Sequence, residues 1–169
     1  MEILEFAMKM ERDGKAFYEQ AASKANRPEL KKIFTTLAEE ELRHFKIFKN
    51  LKEGMHSEAK TIFDQRGQTI SIAKNLFQQL TEEGKTTLYG DDVKAVWKEA
   101  REIEEKSEKM YREEADKETD ATRKELWNKI ADEEKNHIYL VDNMISFMND
   151  PQGFAASADF KHFMSWEGH

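Results

Sequence analysis

The sequence contains no cysteine. Disulfides, thiolate metal sites and cysteine nucleophiles are therefore excluded together. It has two prolines and seven glycines in 169 residues, with long stretches rich in Ala, Glu, Lys, Leu and Met. That balance favours helices over strands. No apolar run approaches the roughly 20 residues that span a bilayer. At the N-terminus Glu2 and Glu5 interrupt any basic-then-apolar leader. A soluble, cytoplasmic protein with no membrane partner is expected. Clustered positive charge is also missing: the formal net charge is -7 and the lysines and arginines are scattered among acids. Phosphate binding needs a basic patch, so nucleic acid is not an expected partner.

What the chain does have is an internal repeat. A shift of 93 residues aligns Ala7–Leu51 with Ala100–Met144 without a gap. Glu11 then meets Glu104, Tyr18 meets Tyr111 and Ala22 meets Ala115. Further along, Glu40 and Glu41 meet Glu133 and Glu134, and His44 meets His137. Apolar pairs such as Phe17 with Met110, Phe34 with Trp127 and Leu37 with Ile130 keep their character. Each half reads as a helical hairpin with apolar residues at three- and four-residue steps.

The first hairpin turns at Asn26-Arg27-Pro28, where proline suits the start of the next helix, and runs until Gly54. In the second, Asp120 is placed to cap the last long helix, which ends at Asn149-Asp150-Pro151. Residues 55–90 form a long crossover, one of the known ways to join four bundle helices. A short amphipathic helix is expected near Ile70–Leu80. The expected fold is all-α, a four-helix bundle of two hairpins over residues 1–148. Residues 149–169 form an aromatic tail whose Phe154, Phe160, Phe163 and Trp166 should dock on the bundle or a partner subunit.

Within the apolar stripes stand six polar residues: Glu11, Glu41, His44, Glu104, Glu134 and His137. Glu11 and Glu41 each lie 15 residues from Asn26, and Glu104 and Glu134 each lie 15 from Thr119. At a rise of about 1.5 Å per residue, each pair stands at one height across its hairpin. Four buried carboxylates at one level would repel one another and lose their hydration. Two divalent cations would cancel that charge, and two neutral imidazoles would add nitrogen ligands. The Glu-to-His step of three residues puts both groups on one helical face.

The pattern Glu11…Tyr18, Glu41-Leu42-Arg43-His44, Glu104…Tyr111, Glu134-Lys135-Asn136-His137 resembles the ferritin-like di-iron carboxylate proteins, and among them the rubrerythrin-type domain in its small stand-alone form. The resemblance covers about residues 2–148. It implies that Glu41 and Glu134 bridge two metals, that Glu11 and Glu104 are terminal ligands, and that His44 and His137 bind one metal each. It also implies that Tyr18 and Tyr111 hydrogen-bond ligand carboxylates. Two features depart from full-length rubrerythrins. Without cysteine there is no rubredoxin module, so electrons must come from a separate protein. Ser107 stands one turn beyond Glu104, where rubrerythrins tend to carry a further glutamate.

Oxygen and nitrogen ligands without sulfur suit two Fe ions, with Mn or Zn as alternatives. The expected activity is reduction of hydrogen peroxide or dioxygen in oxidative-stress defence, by a homodimer. The alternatives are iron storage, which needs a shell assembly, and a structural bundle that metal only stabilises. Simpler readings apply elsewhere. Taken alone, Tyr18 and Tyr111 are core aromatics. His56, His162 and His169 are surface residues, and Glu40, Glu102, Glu105 and Glu133 face water.

Overall fold

A computed structural model describes residues 2–67, 69–82 and 91–167. The chain is all-α, a ferritin-like helical bundle, with no strand among the described residues. Its long helices are α1 (Ile3–Lys24), α2 (Pro28–Lys52), α5 (Asp91–Lys117) and α6 (Ala121–Asn149). The shorter ones are α3 (His56–Asp64), α4 (Thr69–Glu82), α7 (Pro151–Ala155) and α8 (Ala158–Ser165). No helix among the described residues is long and apolar enough to cross a membrane.

Local chemistry explains the boundaries. Pro28 occupies the first turn of α2, where its missing N–H would have had no helical partner. Gly54 follows the end of α2 at φ 77°, a left-handed conformation that glycine adopts without a Cβ clash. Asp120 accepts the Arg123 N–H at 2.8 Å and so caps α6. Asp150 does the same for Gly153 at the start of α7, and Ser157 for Phe160 at the start of α8. The helix expected near Ile70–Leu80 is α4. The side chain of Leu80, residues 68 and 83–90 of the crossover, and His169 lie outside the described residues.

Burial reproduces the 93-residue repeat more fully than the letters do. Leu4, Ala7, Glu11, Gly14, Tyr18 and Ala22 are buried on α1, and Trp97, Ala100, Glu104, Ser107, Tyr111 and Ala115 are their buried counterparts on α5. On α2 the buried line Ile33, Phe34, Leu37, Ala38, Glu41, His44, Ile47, Phe48 and Leu51 likewise maps onto a buried line of α6. The helix ends obey the same shift, since Lys24 maps onto Lys117 and Pro28 onto Ala121. Apolar residues beside these lines stand at the margin of the core: Phe17, Val93, Val96, Ile103 and Met110 are half-buried. A helix has a narrow inward stripe, and Trp97, which the sequence reading passed over, takes the central place near the start of α5.

The contacts divide the chain into two compact units. The first comprises Met1–Thr69 and Met110–Ile130. In it α1 packs along α2, Tyr18 stacks on Phe34, and Phe48 lies against Tyr111 and Trp127 with ring centres 5.1 and 4.9 Å away. Arg43 donates from its guanidinium to the Phe63 carbonyl at 2.7 Å and lies over the Phe63 ring. This ties α3 to the middle of α2. The second unit comprises Ile70–Lys109 and Ala131–His169. Its hub is Phe77 of α4, whose ring meets those of Phe147, Phe154 and Phe163 at 5.1–5.6 Å. Trp166 stands edge-on to Tyr139 at 4.5 Å. Arg101 of α5 is paired with Asp142 of α6, and that carboxylate keeps the guanidinium protonated to still higher pH than usual.

Candidate metal centre

Two trios of ligand-type residues form, one within each unit. In the first, α1 supplies Glu11 and α2 supplies Glu41 and His44, all three buried. His44 Nδ1 lies 3.5 Å from Glu11 Oε2. The Tyr111 hydroxyl donates to Glu11 Oε1 at 2.5 Å, which turns that carboxylate to present its other oxygen towards His44. Tyr111 is itself held in an aromatic cluster with Phe48 and Trp127. Tyr18 is fully buried.

In the second trio, α5 supplies Glu104 while α6 supplies Glu134 and His137. His137 Nδ1 lies 3.3 Å from Glu104 Oε1 and 3.8 Å from Glu134 Oε2. The four glutamates are 0–1 % exposed and the two histidines 0 % and 4 %. With one ligand atom taken from each residue, those of Glu11, Glu41 and His44 all lie within 4.8 Å of one another. The same holds for Glu104, Glu134 and His137.

These residues fit a metal ion on two counts. The nitrogen–oxygen separations of 3.3–3.8 Å exceed the usual length of an N–H···O hydrogen bond. Atoms bound to one ion at about 2.1 Å stand roughly 3–3.5 Å apart, which the separations of His44 from Glu11 and of His137 from Glu104 match. Charge points the same way, because carboxylates this far from water need positive charge close by. Oxygen and imidazole donors without sulfur match Fe, Mn or Zn.

Of the eight residues singled out in the sequence, all are buried, and the six ligand candidates fall into the two groups just described. His56 is half-buried and His162 exposed, and neither joins a group of ligand atoms. Glu102 and Glu105 are exposed as expected. Glu40 and Glu133 are half-buried instead of facing water; each precedes a ligand-type glutamate by one residue, and a 100° step on a helix reaches only the edge of the buried stripe. Gly14 was missed. Its signal was available: it sits mid-helix one turn beyond Glu11 and maps onto Ser107, one turn beyond Glu104.

No curated protein and no solved structure shows a significant match to the chain. The family model described as Rubrerythrin matches residues 2–145, nearly the whole of the long-helix region. A family built on paired Glu and Glu-x-x-His helices is what the buried trios and their 93-residue repeat lead to, and the chain belongs to the rubrerythrin family.

Proposed function

We propose that the protein is a di-metal carboxylate oxidoreductase that holds two iron ions and reduces hydrogen peroxide or dioxygen. One observation carries the reading: each unit buries a group of two glutamates and one histidine whose donor atoms lie within 4.8 Å of one another. As the family resemblance implies, Glu41 and Glu134 would bridge a pair of ions. Glu11 and Glu104 are then the terminal carboxylates, and His44 and His137 each donate a nitrogen to one ion. Manganese is accommodated by the same donors.

The chain's own residues do the positioning. Tyr111 fixes the Glu11 carboxylate through its hydrogen bond. Phe48 and Trp127 pack on the Tyr111 ring and hold it in place. Arg43, sited between Glu41 and His44, anchors this turn of α2 to the Phe63 carbonyl. A pair of ferrous ions bound there would supply the two electrons that convert peroxide to water. In this reading the electrons come from a separate donor protein. The working assembly in this reading is a cytoplasmic homodimer, which light scattering checks.

Stopped-flow mixing of the Fe(II)-loaded protein with hydrogen peroxide is the direct test. Oxidation of the bound iron well above the rate of free Fe(II) in the same buffer is expected. Equal rates would remove the redox reading and leave a metal-stabilised bundle.

A further inference from the structure

Gly14 is buried in the middle of α1, a continuous helix over Ile3–Lys24. Its backbone does not require glycine, because Gly54 is the one described glycine with positive φ. No turn, kink or cap lies there either. The helix thus carries its least favourable non-proline residue at an interior position, and local structure offers no reason for it.

The space around it does. A Cβ built on Gly14 would lie 2.7 Å from Glu41 Oε2, 3.3 Å from its Cδ and 3.6 Å from its Cγ. The first distance is closer than real Cβ contacts come, so the Glu41 carboxylate fills the volume that a side chain at residue 14 would take. We propose that Gly14 is a positioning residue for the centre, and that its missing side chain lets the Glu41 carboxylate lie against the backbone of α1, one turn beyond Glu11. This inference rests on the di-metal reading above.

The carboxylate is the far end of a flexible side chain, and this decides the consequence. In Gly14→Ala the added methyl does not meet rigid backbone. The carboxylate swings aside at small cost to the fold, while alanine favours the helix. Stability and metal binding should therefore move in opposite directions. A core glycine kept for packing alone would lose both together.

The experiment uses the full chain, stripped of metal and then titrated anaerobically with Fe(II), with occupancy read by elemental analysis after gel filtration. Thermal unfolding of the metal-free proteins is followed by circular dichroism. Gly14→Ala should melt at or above the wild-type temperature yet bind Fe(II) about tenfold more weakly or worse, the loss typical when a residue that supports a ligand is altered. Gly67→Ala is the control. There a Cβ would lie 2.8 Å from Glu40 Oε1, a similar clash on a glutamate outside the donor groups, and Fe(II) binding should be unchanged.

Wild-type affinity in Gly14→Ala would overturn the inference and leave the di-metal reading standing. A lowered melting temperature or failure to fold in Gly14→Ala would also overturn it, by assigning the glycine to packing. Failure of the wild-type chain to bind two Fe(II) ions would remove the underlying reading, and the inference with it.

Discussion

At Glu11, Glu41, Glu104 and Glu134 the side chains have almost no exposed surface. A carboxylate in that position is tolerated only with nearby positive charge or a proton of its own. Removing a ligand oxygen or nitrogen should thus act on metal content before it acts on anything else. Glu41→Ala and His137→Ala are expected to lose most bound metal in elemental analysis of the purified protein. Glu40→Ala and Glu133→Ala, each one residue from a ligand candidate, should retain it; equal losses from both sets would sink the assignment. Tyr111→Phe is gentler, since it deletes one hydroxyl and leaves the ring packed against Phe48 and Trp127. About tenfold weaker metal binding is expected, from a carboxylate that is no longer oriented. A competition titration with a chromogenic chelator measures it.

Among the elements, α6 has the most to hold. It presents Glu134 and His137 one turn apart, and it also carries Val141, Met144 and Phe147 into the core. Its start depends on one side chain, Asp120, which accepts the Arg123 N–H. Asp120→Ala should cost about 1 kcal/mol of stability in urea unfolding, the usual effect of removing a cap. Bound metal should be unaffected, because Glu134 lies several turns from the frayed end. At α1 the corresponding tension is internal, as Gly14 lowers helix stability by roughly 0.5–1 kcal/mol relative to alanine.

For the whole molecule, cations held at the proposed centre would contribute to stability through linkage. An ion that binds the folded chain only, at a hundred times its dissociation constant, stabilises it by about 2.7 kcal/mol. Two such ions, removed by dialysis against a chelator, should lower the melting temperature by several degrees at least. Re-addition of Fe(II) without oxygen should restore it. A melting curve indifferent to the chelator would show that the buried acids are neutralised in some other way.

The sequence by itself determined the all-α class, the turns that bound the long helices and the 93-residue repeat. Such features depend on local chemistry: Pro28 and Asp120 act within one turn of where they stand, and periodicity is written along a single helix. Membership of the rubrerythrin family was legible for the same reason, through two Glu-x-x-His steps, each with an upstream Glu and Tyr. Only the tertiary structure decided that Tyr111 bonds Glu11, a residue 100 positions away in the chain. It alone decided that Trp97 is core while Ile103 and Met110 stand at the margin, and that Gly14 leaves room for Glu41. Periodicity gives the direction a side chain points to within one residue step, whereas contact across helices turns on ångströms set by the packing of both partners.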